Sequence, residues 1–353
     1  MLTIARTPVA LRALAEEWSD LHAACRSQNP FNHPAWCLSW AHAFDHDELR
    51  IVVERDPSGC LIGVLPLMAR AAAGRVWATL GMPLVDFGAP LVDSSTNVVP
   101  TLLDWLAEYS AEWDEVELIG LPLDLASGLV DVAAQRRLCA QITATEVCPR
   151  IDISSIEDWR KALPPKRLRR LQGNLDRLEM RHGAECREVC ASADITAAIR
   201  RFESLRLQSW WQRSGFKTLP PAARGNQHCQ LLGTFATALA PTTFVSVVEM
   251  VSGDRLLSSS VLFWSNDTVL VALKATDTRL GTSVSPGLGL DMFVIELAAS
   301  RGVSSVGYGR GDEDYKFTLG AVAETTADVS FAHPDRPLRL LNRLARQIGR
   351  SLS

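Results

Sequence analysis

Thr243–Asp277, TFVSVVEMVSGDRLLSSSVLFWSNDTVLVALKATD, reads as three strands joined by a Ser-Gly-Asp turn and a Ser-Asn-Asp turn, because β-branched and apolar runs are punctuated by residues that accept turn geometry. The period changes in the next stretch, DTRLGTSVSPGLGLDMFVIELAASRG. Here Ser285-Pro286-Gly287-Leu288-Gly289 opens a helix whose apolar positions include Leu290, Phe293, Val294 and Leu297, and which stops at Gly302. GVSSVGYG then supplies a short strand. The glycines follow a late strand and lack the full GxGxxG spacing, which argues against a nicotinamide enzyme. Free amides at the helix start, with glycines that permit close backbone approach, make either a receptor for phosphate or an ordinary turn into a helix.

Outward from this block, the same order recurs roughly 195 residues earlier. NPFNHPAWCLSWAHAF begins a helix at Pro34, with Trp36, Trp40 and Phe44 on one face. LRIVVERDPSGCLIGVLPLMAR is strand, Asp-Pro-Ser-Gly turn, strand, and GRVWATLG adds a third strand. A duplicated α/β unit is expected, mixed α+β in class, and the chain of 353 residues has room for two domains of roughly 150 to 200 residues. The expected division is 1–150, 151–330 and a helical tail at 331–353. Between the meander and the boundary, Val98–Leu106 reads as a helix, WDEVELIGLP as a strand and 125–139 as a helix. Asp86 stands in the irregular, apolar GMPLVDFGAPLV, where a carboxylate needs donors or a ligand. A loop-fixing role and an acceptor contact both fit it.

Hydrophobic residues make up 47% of the chain and charged residues 22%, a balance that fits a packed globular body and excludes a disordered one. The formal charge of -4 supplies no overall field for polyanions, so a nucleic acid would have to be held locally. One local patch exists: Arg160, Lys161, Lys166, Arg167, Arg169, Arg170, Arg177 and Arg181 face only Asp176 and Glu179. Leu168, Leu171, Leu175 and Leu178 trace the apolar stripe of that helix, so the basic side chains are either a solvated face or an anion-binding surface. No leader and no apolar run of 18 residues is read, so the cytoplasm is expected and membrane insertion is not. The eight cysteines are expected to be reduced; Cys186 and Cys190 lack the further ligands of a zinc site, and no metal is expected. Cys229 beside His228 is a poor nucleophile pair, since adjacent helical residues do not face each other.

SVGYGRGDEDYKFTLG, Ser305–Gly320, sets acids, a tyrosine and a lysine between glycines. Taken with NPFNHPAWCLSW, LIGVLPL, LPPKRLRRLQGNLDRLE and SPGLGLDMFVIELAASRG, it resembles the CelD/BcsL family of the GNAT superfamily over residues of about 25 to 322. That family is similar to the FemAB-type enzymes, in which two GNAT-like domains sit in tandem. The resemblance implies tandem N-acyltransferase domains and transfer of an acyl group, acetyl above all, from acyl-coenzyme A to an amine of a small metabolite, sugar or peptide. It implies a donor pyrophosphate at Ser285, Pro286, Gly287, Leu288 and Gly289, and matches the family pattern at Asp312 and Lys316. The first half has no equivalent glycine-opened helix between Gly81 and Leu106 and is expected to lack a cofactor site.

Amide formation from a thioester requires a free amine, an oxyanion donor and a proton for the departing sulfur. Asp312 or Glu313 can take the ammonium proton, Tyr315 or Tyr308 can protonate sulfur, and a backbone amide between Leu270 and Leu273 can hold the carbonyl oxygen. Lys316 suits a ligand phosphate or carboxylate, or else an ion pair with Asp312 or Asp314 that fixes the loop. Arg206, Trp210 and Trp211 fit the acceptor side, or plain helix packing. Two alternatives stand beside acyl-coenzyme A: transfer from aminoacyl-tRNA, with the basic segment on the nucleic-acid backbone, and a non-catalytic scaffold in polysaccharide production. A monomer or a homodimer is expected.

Overall fold

The computed structural model describes residues 1–25, 29–44, 48–72, 74–153, 155–190, 192–214, 222–239, 244–280 and 283–333. The first part of the chain runs β1 (Leu2–Ala5), α1 (Pro8–Ala24), α2 (Pro34–Phe44), β2 (Leu49–Arg55), β3 (Leu61–Ala72), β4 (Gly74–Thr79) and β5 (Leu91–Val92). It continues through α3 (Val98–Glu108), β6 (Glu115–Pro122), α4 (Leu123–Val132), β7 (Cys139–Asp152), α5 (Ile156–Ala162) and α6 (Pro165–His182). Then come β8 (Ala184–Val189), α7 (Ser192–Ser214), α8 (Ala222–Leu239), β9 (Val245–Ser252), β10 (Arg255–Trp264) and β11 (Thr268–Thr276). The last elements are α9 (Pro286–Ser300), β12 (Ser305–Gly307), α10 (Asp314–Thr318) and β13 (Val322–Ala332). The fold is mixed α/β, built on β-sheet. The helix expected over 125–139 ends early, in a 3-10 turn at Ala133–Arg136, and Cys139 already belongs to a strand. Residues 331 and 332 end β13, and 334–353 lie outside the described residues, so the tail expected there is not described.

Two compact units form: Met1–Arg26, Asp47–Thr145 and Thr326–Ser353 make the first, and Ser27–His46 with Glu146–Thr325 the second. In the first, β1, β2, β3, β4, β6 and β13 lie side by side, every pairing antiparallel except β4 with β6. The parallel pair needs a crossover, which contains α3. Asn97 caps that helix by accepting from the Val99 amide at 3.3 Å, and its buried stripe Leu102, Leu103, Trp105 and Leu106 joins Trp77, Trp113 and Phe331 in the core.

The second unit repeats this order. Strands β8, β9, β10 and β11 form an antiparallel meander, α9 crosses over, β12 lies parallel to β11, and β7 lies antiparallel to β12. Each unit's run of strands thus takes in one strand from a distant part of the sequence. On one face, α5, α6 and α9 bury Trp159, Leu171, Leu178, Leu290 and Val294 against Met250, Leu262 and Val269. On the other, Trp36 of α2 and Phe235 of α8 meet Phe263 of β10 edge-on, with Trp36–Phe235 centroids 5.3 Å apart. Helix α2, which the sequence groups with the first meander, therefore packs in the second unit, because its apolar face is matched by α8 and β10.

Where β11 leaves the sheet, the fully buried Asp277 accepts from Arg255 and Arg279, both at 2.7 Å, and from the Arg279 amide at 2.9 Å. Burial works against the carboxylate, but these donors outweigh it and hold Asp277 well below the usual range. A depressed folded value contributes stability above the unfolded value near pH 4, which is lost as pH falls toward the folded one. Asp277→Asn is expected to lower stability at pH 7 by roughly 2–3 kcal/mol and to flatten the melting temperature between pH 5 and pH 3. Parallel melting curves for variant and parent across that range would contradict the assignment.

Candidate active site in the second unit

The registered pairing of β11 with β12 covers three residues, Thr268 with Ser305, Val269 with Val306 and Leu270 with Gly307. Beyond it β11 runs on to Thr276 in register with β10, so a cleft opens between the parallel strands. At its inner end the register against β10 slips: Val261 faces Leu273 and Leu262 faces Val271, leaving Ala272 as a bulge. A bulge turns backbone groups out of the ladder, where an incoming carbonyl oxygen can use them.

The α9 side of this cleft is polar although buried. Lys274 of β11 is ion-paired with Asp291 of α9, a residue of 0% exposure. The Lys274 ammonium also lies 4.3 Å from the centre of the Tyr315 ring on α10, so the side chain reaches from β11 to the segment that follows β12. Tyr308 meets Tyr315 edge-on with centroids 6.3 Å apart. Ser260 of β10 stands opposite Lys274 in register and hence on the same face. Three atoms here are buried without a partner: Asp291 Oδ1, Tyr308 Oη and Ser260 Oγ. Buried polar atoms are nearly always satisfied in folded proteins, so three orphans around one ion pair mark a place built for more than stability. Burial raises Asp291, with Lys274 and Lys316 pulling the other way. Burial, and then the charge of Asp291, also raises Tyr308 and Tyr315.

The motif loop takes its shape from Lys316. Its ammonium is buried and donates to the Gly311 carbonyl at 2.9 Å and the Arg310 carbonyl at 3.3 Å, and it pairs with Glu313 at 2.8 Å. The partner is Glu313 rather than Asp312 or Asp314, because α10 places positions 313 and 316 one turn apart. Burial opposes the Glu313 carboxylate, yet the bond to Lys316 holds it below its ordinary value, which makes it a weak base. Asp312 is exposed on the same loop.

At the start of α9, Ser285 accepts from the Leu288 amide at 3.4 Å. Asn174 of α6 brackets this residue, accepting from its amide at 2.7 Å and donating to its carbonyl at 3.0 Å. Pro286 takes the first helical position. Gly287 and Gly289 are buried, and their missing Cβ atoms serve packing: one at Gly287 would meet Thr276 Oγ1 at 3.0 Å and Lys274 Cε at 3.1 Å, and one at Gly289 Met250 Cε at 2.8 Å. Leu288 is half-buried, as is Leu273, which lies beside the bulge on the face opposite Lys274.

The expected residues therefore divide. Tyr315, Lys316, Glu313, Asp312, Leu273 and the Ser285–Gly289 turn all belong to the second unit and to the elements flanking this cleft. Arg206 of α7 is instead paired with the buried Glu203 at 2.8 Å, and Glu203 also holds His228 Nδ1 at 2.5 Å. Burial, reinforced by Glu203, raises the Cys229 thiol, so it is no ready nucleophile. Asp86 is half-buried in the first unit, and the side chains of Trp210 and Trp211 lie outside the described residues. Lys274 and Asp291 are missing from the sequence reading. Their signal was available: each is an ionisable residue inside an apolar run, LVALKAT and GLGLDMFVIE, at a core-facing position. Among the described residues no group of three or more His, Cys, Asp or Glu side chains is placed to hold a metal ion. Likewise, none of the described helices is long and apolar enough to cross a membrane.

The model of the Acetyltransferase (GNAT) domain, Acetyltransf_6, matches residues 165–317, from α6 to α10. This stretch is similar to a GNAT acetyltransferase domain. The match supports acyltransferase activity, and GNAT-fold domains generically use acyl-coenzyme A donors. Three solved structures are similar over nearly the whole chain and share its fold. FemX has a TM-score of 0.64 at 11% identity, covering 93% of this chain and 98% of that one. A conserved protein of unknown function from Bacteroides thetaiotaomicron VPI-5482 has a TM-score of 0.60 at 10% identity, covering 94% and 100%. L-PGS from Bacillus licheniformis has a TM-score of 0.57 at 11% identity, covering 99% of each chain. No curated protein matches the sequence.

Proposed function

We propose that the protein transfers an acyl group, acetyl above all, from acyl-coenzyme A to an amine on a small metabolite, sugar or peptide. The observation that carries this reading is the cleft between β11 and β12, with the Ala272 bulge at its inner end and the α9 N-terminus at the mouth. In this reading the donor lies along β11. The pyrophosphate meets the dipole of the α9 N-terminus and the Gly287 amide, since Pro286 has no N–H and the Ser285 and Leu288 amides are engaged by Asn174 and Ser285 Oγ. Backbone amides at Ala272 and Leu273 hold the thioester carbonyl oxygen, which gains charge as the amine adds. The orphaned polar atoms along the α9 face fit a polar donor arm. Asp312, exposed on the motif loop, takes the proton that the attacking ammonium must lose.

The motif Gly307–Gly320 supports a CelD/BcsL-like reading, and the repeated strand order supports a tandem GNAT reading. In that reading 151–330 bears the donor site, and 1–150, with Asp86, serves the acceptor without a cofactor site of its own. A cytoplasmic monomer or homodimer completes the proposal.

Ser285→Asp tests the phosphate turn without disturbing it. Aspartate caps a helix as well as serine does, so stability is expected to change by less than about 0.5 kcal/mol, while the added charge faces the pyrophosphate. Calorimetric titration with acetyl-coenzyme A is expected to show binding by the parent and an affinity loss of about tenfold or more in the variant. Equal affinities would remove the phosphate from this turn. A bulky replacement at Gly287 would be a poor probe, because even a Cβ is crowded there.

A second reading rests on α6, where Lys166, Arg167, Arg169, Arg170 and Arg181 are exposed. Such a face suits the backbone of an aminoacyl-tRNA donor, and binding of tRNA would weaken steeply with salt. Failure of acetyl-coenzyme A to bind, with salt-sensitive tRNA binding, would move the assignment there.

A further inference from the structure

Neither the family match nor the motif assigns a role to the ion pair buried beside the cleft. Lys274 leaves β11 two residues beyond the Ala272 bulge, on the α9 face, and its ammonium bridges Asp291 of α9 and Tyr315 of α10. It is therefore one of the groups that spans the opening where β11 and β12 part. Its side chain keeps 15% exposure while Asp291 has none, so the lysine is the member of the pair that reaches the cleft and the aspartate the member that holds it. Packing enforces the arrangement. Gly287 has no side chain and its missing Cβ would lie 3.3 Å from Lys274 Nζ, so α9 can lie directly against the ammonium.

We propose that Lys274 is the proton donor to the departing sulfur and that Asp291 is its positioning residue. The inference rests on the acyl-coenzyme A reading above. In the step, the amine nitrogen adds to the thioester carbonyl carbon and forms the C–N bond. As the carbonyl re-forms, the C–S bond breaks and its electron pair goes to sulfur. Sulfur takes a proton from the Lys274 ammonium and leaves as a thiol. Asp312, having passed the first ammonium proton to solvent, takes the surplus proton from nitrogen and releases it in turn, and Lys274 regains its own from solvent through its exposed side.

The other candidates for the donor are less suitable. Tyr308 Oη is buried, and ionising either phenol would place a second negative charge beside Asp291. Lys316 already directs its donors to Arg310, Gly311 and Glu313. A lysine that gives up its proton becomes neutral and can still bond to Asp291.

The test uses the dependence on the leaving group. Enzyme-dependent formation of acetohydroxamate from hydroxylamine would be measured with two donors, acetyl-coenzyme A and S-phenyl thioacetate, whose thiolate leaves without a proton. Lys274→Met is expected to slow the first by about 10²–10⁴-fold and the second by less than about tenfold, with coenzyme A affinity unchanged. Asp291→Asn is expected to give a smaller loss with the same selectivity. Because Lys274→Met strands a buried carboxylate, the double variant K274M/D291L provides a second background with an apolar pair in its place, and the same selectivity is expected. Equal losses with both donors, or no loss, in the presence of normal coenzyme A binding would overturn the role of Lys274 alone. A parent protein that neither binds coenzyme A nor uses acetyl-coenzyme A would overturn the underlying reading and this inference with it.

Discussion

Gly120→Val is expected to leave no stably folded protein. Gly120 sits in β6 at φ +60, and a Cβ there would lie 1.7 Å from the carbonyl oxygen of Asp86 and 3.1 Å from Phe87 Cα. No rotamer relieves such an overlap, because the obstacle is backbone. The loop is tied down on both sides of the contact: the Gly88 amide donates to the Ile119 carbonyl at 2.8 Å, and the Gly120 amide donates to Asp328 Oδ1 at 3.0 Å. Moving either strand or loop costs these bonds and the core beneath them. The expected loss exceeds about 5 kcal/mol, a large part of the roughly 5–15 kcal/mol available to a domain. Gly59→Ala is the control, since Gly59 has φ +91 with nothing within 4 Å of its Cβ, so strain alone acts there, at roughly 1–2 kcal/mol. Thermal melting of both variants decides the matter: a Gly120→Val transition within a few degrees of the parent's would show that the contact yields. The same geometry bears on Asp86, whose backbone is held by this crossing whatever its carboxylate does.

Lys316→Met is expected to have the second-largest effect, on the active site more than on the melting temperature. The ammonium is the hub of the loop from Arg310 to Glu313, satisfying two carbonyls and a carboxylate from a buried position. Methionine fills a similar volume but leaves both carbonyls short of a donor. About 2–4 kcal/mol of stability is expected to be lost. Turnover of acetyl-coenzyme A is expected to fall on the order of 10²-fold, since a shift of about 1 Å in a positioning loop has that effect. Amide hydrogen exchange would locate the cause: faster exchange at Gly311 and Lys316, whose amides donate to Val147 and Glu313, with β9 and β10 unchanged. Unchanged protection of those two amides would show that Lys316 does not shape the loop.

Many of the second unit's strands were legible in the sequence because their turns are chemically explicit. Ser252-Gly253-Asp254 and Ser265-Asn266-Asp267 interrupt β-branched runs, and Ser285-Pro286 followed later by Gly302 brackets α9. Strand β13 was not read. Thr326, Asp328 and Ser330 alternate with Ala327, Val329 and Phe331 in the sequence, but there the strand is buried on both faces, and its stretch, just before the expected tail at 331–353, was given no element of its own. Strand β7 hides differently, since its first half is largely exposed and its second half carries Cys148-Pro149, which together have the composition of a linker. At the candidate site, the loop residues stand out in the sequence as a motif, but the Lys274–Asp291 pair does not, because each partner looks like an isolated polar substitution until β11 and α9 are packed together. Arg206 shows the converse: a guanidinium among aromatics suggests a ligand or plain helix packing, and the packed structure pairs it with Glu203.

The pairing of β6 with β13 also sets a timetable for synthesis. The strands β1 to β6 leave the ribosome early, but the partner that covers the outer edge of β6 is not made until Thr326–Ala332, some 200 residues later. At about 5–20 residues per second that interval is roughly 10–40 s. For all of it the nascent chain carries a strand edge that can pair with a neighbour on the same messenger. Slow translation of the second half therefore lengthens the period of risk, and expression at high ribosome density is where aggregation of this protein should begin.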